Sequence, residues 1–83
     1  MEFVIVEISV PAVGQSFDVR IPREVNCQLV SAALSQAAAA MSEGSYTASA
    51  SSLLAFKKSG AVLDRRKTIG QCGVCEGDRL LLI

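Results

Sequence analysis

Histidine and tryptophan are missing from this sequence, and their absence removes several kinds of chemistry at once. Without histidine there is no Ser-His or Cys-His catalytic pair and no imidazole metal ligand. The three cysteines are an odd number, too few for a disulfide scaffold, and they suit a reducing cytoplasm. No window approaches the ~20 apolar residues of a membrane helix, and no basic stretch followed by a signal-type apolar run opens the chain, so direct membrane insertion is not expected. Charge of either sign is in no excess: eight basic side chains balance eight acidic ones. A general nucleic-acid binder should carry a basic surplus, so nucleic acid is not an expected partner.

What is present is apolar and patterned. Half of the 83 residues are hydrophobic, enough to pack a core, and the length suits a single domain over residues 1–83. Residues 3–10 are rich in β-branched side chains and stop at Pro11, which reads as a strand. Glu7 and Ser9 mark its outer face, sending Val4, Val6, Ile8 and Val10 inward, while Phe3 and Ile5 share the outer face. A turn containing Gly14 leads to residues 16–21, where Phe17, Val19 and Ile21 alternate with Asp18 and Arg20. Such alternation belongs to a half-buried antiparallel strand.

Pro22 ends that strand. Asn26 is placed to cap a helix over residues 27–41, with Val25 and Val30 at the two positions of a hydrophobic staple. Cys27, Val30, Leu34, Ala37 and Met41 are spaced three and four apart and predict one buried stripe. Gly44 is a candidate stop. Residues 42–52, rich in serine, alanine and glycine, read as a mobile connection. Residues 53–57 predict a third strand with Leu54 and Phe56 inward, and Val62 and Leu63 a short edge strand. Residues 68–74 form a compact loop or single helical turn that packs Ile69 and Val74. Gly77 is free to adopt positive φ in the turn Glu76-Gly77-Asp78, where Asp78 is expected to accept hydrogen bonds from backbone N–H groups. Residues 79–83 are almost wholly apolar, as in a strand at the centre of a sheet.

This ββαββ order is that of the β-grasp, and its spacing is similar to that of ubiquitin over nearly the whole chain. The expected fold class is α+β: a mixed four- to five-stranded sheet with one helix packed on one face. The segment Thr68-Ile-Gly-Gln-Cys-Gly-Val-Cys-Glu-Gly-Asp-Arg-Leu, above all Cys72-Gly73 and Gly77-Asp78, resembles the closing segment of the YukD (or EsaB) family. Those are small bacterial ubiquitin-like proteins associated with type VII secretion, related to the cytoplasmic N-terminal domain of the EccD membrane protein. The residues 42–52 are where the likeness is weakest. The resemblance implies a non-catalytic interaction module, a cytoplasmic accessory of the secretion machine, with protein partners and no cofactor. Ubiquitin and the sulfur carriers end in an activated Gly-Gly tail, whereas this sequence stops at Leu82-Ile83. Conjugation is therefore not expected, unless the chain is a carrier or modifier from which the tail is missing. A third reading makes it the soluble domain of a longer membrane protein.

In a β-grasp the first and last strands lie side by side. If Leu80 and Leu82 face the helix, Leu81 and Ile83 face away, beside Phe3 and Ile5 and then Leu53 and Ala55. These six make a candidate partner-binding face, for another protein or for a second copy of the chain in a homodimer. Ubiquitin uses the same face for recognition. Lys57, Lys58, Arg65, Arg66 and Lys67 hold five of the eight basic residues and make a candidate basic patch whose binding would be salt-dependent. Cys72-Gly-Val-Cys75 is a C-x-x-C, but it runs into a turn rather than opening a helix as a thioredoxin-type pair does. Cys27 cannot complete four zinc ligands with it. Cys72 is expected to pack as a small hydrophobe. Glu76 and Asp78 lack the further ligands that a metal site would need.

Overall fold

The computed structural model describes residues 2–41 and 52–83. Strand β1 spans Phe3–Val10 and a 3-10 turn spans Pro11–Val13; strand β2 spans Gln15–Pro22 and helix α1 Cys27–Met41. Strand β3 spans Leu54–Phe56 and strand β4 Arg79–Leu82. The spatial order is β2-β1-β4-β3, so the closing strand does lie mid-sheet. β1 runs antiparallel to β2 and parallel to β4, and β4 runs antiparallel to β3. One helix on one face of this mixed sheet is the expected β-grasp. The mobile connection and the Gly44 stop fall on residues 42–51, outside the described part.

The alternation read from the sequence sets the inner face. Val4, Val6, Ile8 and Val10 of β1, Ile21 of β2, Leu54 of β3, and Leu80 and Leu82 of β4 are buried in one cluster with Cys27, Val30, Leu34 and Ala38 of α1. Burying each large aliphatic side chain contributes roughly 1.5–3 kcal/mol. β2 is an edge strand, and Phe17 and Val19 are correspondingly only partly buried.

The helix's buried stripe differs from the expected one. Ala37 and Met41 are exposed, while Ser31, Ser35 and Ala38 are buried. A helix turns once every 3.6 residues, so eleven residues make just over three whole turns. Ala38 therefore lies in line with Cys27, and Ala37 swings out of line. The two buried serines do not waste their hydroxyls. Ser31 Oγ donates to the Cys27 carbonyl at 2.8 Å, and Ser52 Oγ lies 3.1 Å from Ser35 Oγ.

Val62 makes an isolated bridge to Ala55 rather than a fifth strand. The loop after it is stitched to the start of α1. Cys27 N donates to Lys67 O at 2.9 Å, Ile69 N to Val25 O at 3.0 Å and Gly70 N to Arg23 O at 2.9 Å. At Gly70 an added Cβ would meet Arg23 at 3.4 Å, about van der Waals contact. Thr68 and Gln71 cap the loop's helical turn reciprocally: Thr68 N donates to Gln71 Oε1 at 3.0 Å and Gln71 N to Thr68 Oγ1 at 3.1 Å. Ile69 and Val74 are thereby held in the core.

Candidate interaction surface

The side of the sheet away from α1 is built in rows, each set by strand register. At one end Phe3 pairs with Pro22 and Ile5 with Arg20. The Arg20 guanidinium stacks 4.5 Å from the centre of the Phe3 ring, a cation–π contact. The next row is charged, with Asp18, Glu7 and Arg79 side by side on β2, β1 and β4. Beyond it come Ser16, Ser9, Leu81 and Ala55, with Val62 bridged outside them. Last, Leu53 and Ile83 exchange two backbone hydrogen bonds of 2.7 and 2.9 Å.

This register corrects the expected continuous face. Leu81 and Ile83 do not lie beside Phe3 and Ile5. β4 begins opposite Glu7, and because it runs parallel to β1 its later residues move away from the start of β1. The place next to Ile5 is taken by the turn before β4. Gly77 N donates to Ile5 O at 2.8 Å, and the Glu76 carboxylate accepts the Ile5 N–H at 2.8 Å. The outer face therefore carries two apolar patches, Phe3–Ile5 and Leu81–Leu53–Ile83, separated by a charged row.

Ala55 also departs from expectation, being buried. Its methyl group is low, and its partners on either side, Leu81 and Val62, are both larger. Among the others, Ile83 is 55% exposed and Val62 53%, while Leu53 and Leu81 are half-buried. Val62 was read as an edge-strand residue and not as part of this face; only its bridge to Ala55 brings it there.

Four of the five basic residues line two hollows. Lys57 and Lys58, with Arg79, line an open hollow of about 870 Å³ floored by Phe56 and Gly77. Arg65 and Arg66 line a different hollow with Gln28 and Leu63. Asp64 folds residues 64–67 into a tight turn by accepting the Arg66 N–H at 2.9 Å and pairing with Arg66 Nε at 3.5 Å. The Arg66 backbone N–H, followed by the Arg66 charge, holds the Asp64 carboxyl below its ordinary value. Lys57 reaches over β4 to Ser9 Oγ on β1, 3.5 Å away. It thus edges the apolar patch.

The turn before β4 matches the sequence reading. Gly77 has φ of 83°, and Asp78 Oδ2 accepts the Cys75 N–H at 2.8 Å. The role of Glu76 as acceptor for β1 was not anticipated, and no local pattern marks it. The C-x-x-C pair is not a pair in space: Cys75 is exposed, whereas Cys72 packs partly against the core with its sulfur 3.2 Å from Cys27 Sγ. Cys27 is the first residue of α1, where a helix start would favour thiolate. Burial outweighs that, and with the Cys72 hydrogen bond it pushes the Cys27 thiol up to about 12. No group of three or more His, Cys, Asp or Glu side chains suited to a metal occurs among the described residues.

A sheet ordered β2-β1-β4-β3 with a single helix, among the described residues, packed on one face defines a ubiquitin-like fold. The sequence matches the family model described as WXG100 protein secretion system (Wss), protein YukD, over residues 3–82, and the chain belongs to that family. Solved structures agree on the fold. The EccD5 ubiquitin-like domain from Mycobacterium xenopi superposes with a TM-score of 0.79 at 17% identity, covering 100% of this chain and 94% of that one. For the ubiquitin-like domain of the Mycobacterium tuberculosis type VII secretion protein EccD1 the values are 0.75, 15%, 100% and 99%. A chain of the MycP5-free ESX-5 inner membrane complex superposes at 0.79 and 17% identity, this chain covering 21% of it. No curated protein matches the sequence significantly.

Proposed function

We propose that residues 1–83 act as one non-catalytic docking domain on the cytoplasmic side of a type VII secretion system. In this reading it binds a protein component of the machine through the Leu81 patch. The observation that carries it is the apolar group Leu81, Leu53, Ile83 and Val62 on the face that α1 leaves bare. A contiguous exposed apolar group is a usual mark of a partner site. Lys57, Lys58 and Arg79 beside it favour a partner segment that pairs apolar with acidic side chains. Phe3 and Ile5 form a separate patch, and the Phe3 ring already meets Arg20. No helix among the described residues is long and apolar enough to cross a membrane.

The test is binding of the purified chain to the isolated type VII membrane complex of its own cell, measured by biolayer interferometry. Leu81→Asp is expected to weaken binding at least tenfold with an unchanged melting temperature, and rising salt should weaken the wild type. Equal binding by the variant would reject the Leu81 patch. Sedimentation showing a wild-type dimer that Leu81→Asp dissociates would assign the face to a second copy instead.

A further inference from the structure

We propose that Cys27 and Cys72 are a disulfide-forming pair, a site of reversible thiol oxidation that ties the start of α1 to the loop before β4. Their sulfur atoms lie 3.2 Å apart although the residues are 45 positions apart in sequence. A disulfide bond is about 2.05 Å long, so the two sulfurs need approach by only about 1.2 Å. Both are held in place from the backbone. Cys27 N is bound to Lys67 O, Ile69 N to Val25 O, and Cys72 N to Thr68 O at 3.0 Å. Asn26 also bridges to Thr68, so the two segments that carry the sulfurs run side by side just before them.

The two thiols differ in access. Cys27 is buried at 1% exposure, whereas Cys72 is half-buried and is the member that solvent reaches. Cys75 is exposed, but its sulfur turns to its own loop, 3.5 Å from the Gly73 carbonyl. The nearer partner for Cys72 is therefore the distant residue and not its C-x-x-C neighbour. Hydrogen peroxide is the natural oxidant for this arrangement. The Cys72 thiolate attacks one peroxide oxygen and the O–O bond breaks, giving a sulfenic acid and hydroxide, which takes up a proton as water. The Cys27 sulfur then attacks the sulfenic sulfur. The S–O bond breaks, and the departing hydroxide leaves as a second water with the Cys27 proton. Two electrons pass from the sulfur pair to the peroxide, and a dithiol such as dithiothreitol reverses the change by exchange.

The link would close a long chain segment in the unfolded state, and a closure of this length should raise the melting temperature by about 10 °C or more. It would leave the Leu81 face untouched, so it stands apart from the docking role.

The experiment uses the full chain, purified reduced and freed of thiol, then treated with hydrogen peroxide. Remaining thiols are alkylated and the protein is mapped by mass spectrometry without reduction. The expected result is a monomer that has lost two hydrogens, with a Cys27–Cys72 linked peptide, a higher melting temperature, and full reversal by dithiothreitol. Cys75→Ser should form the same link, and Cys72→Ser should lose the thermal shift. A Cys72–Cys75 link would overturn the proposal, as would a Cys75-linked dimer with Cys27 and Cys72 still alkylatable. So would over-oxidation of Cys72 with Cys27 still a thiol. Because the wild-type map alone separates these results, the proposal does not depend on a Cys27 variant that folds.

Discussion

At Cys27 two influences pull on one thiol, and their balance sets a pH response. The helix start favours the thiolate, but loss of solvent disfavours it more strongly, and the thiol is pushed up to about 12. In the unfolded chain the same group titrates near its ordinary value of about 9. Below that pH both states hold the proton, and the group adds no slope. Between about 9 and 12 the unfolded state has released the proton and the folded state still holds it, so stability falls as pH rises. The slope contributed is at most about 1.4 kcal/mol per pH unit. Urea unfolding at stepped pH should show this decline, and Cys27→Ala should flatten it. A residue-scale reading of the sequence recognised Cys27 as core, but not that it faces Cys72. The two residues belong to different elements, and neither local spacing nor composition encodes that meeting.

Among the elements, capping does much to position the chain. Asn26 Oδ1 accepts the Gln28 N–H at 2.8 Å at the start of α1. Asn26→Ala should cost about 1 kcal/mol and lower the melting temperature by roughly 4–8 °C, read by circular dichroism. This cap was legible because Asn before an apolar-periodic run is a local signal. Thr68 and Gln71 carry the same kind of signal, a Thr-x-x-Gln, and their reciprocal caps could have been read from the sequence as well. The inner faces of β1 and β4 were legible for a similar reason, since alternation is written along each strand. The buried side of α1 was less so. Ser31 and Ser35 look polar in sequence, yet the Ser31 hydroxyl donates to the Cys27 carbonyl one turn earlier and the Ser35 hydroxyl meets that of Ser52.

For the whole molecule the controlling feature is that β4 lies between β1 and β3. Its alternate residues serve opposite purposes. Leu80 is fully buried, and Leu81 is on the other face. A protein of 83 residues has a net stability of roughly 4–12 kcal/mol. Leu80→Ala, leaving a cavity at the sheet's centre, should remove about 2–5 kcal/mol of it and move the urea midpoint sharply down. Leu81→Asp, one residue along, should keep the midpoint and lose only binding. An equal loss of stability from both changes would mean that the two faces of β4 are not separated as described.

The sequence by itself determined the kinds of element, their order, the inward side chains of the strands and the family likeness, because each is carried by neighbouring residues: alternation, a cap, a turn glycine, a short motif. Only the tertiary structure decided which outward side chains meet. The pairing of Glu7 with Arg79 joins opposite ends of the chain, and a shift of that parallel register would rearrange every row of the outer face. That long-range alignment split the apolar face in two; the pairing of β3 with β4 and the Val62 bridge sank Ala55 between larger neighbours and brought Val62 to the patch, and the loop's bonds to the start of α1 set Cys72 against Cys27. Such contacts arise from the packing of whole elements against one another, which no stretch of a few residues can encode.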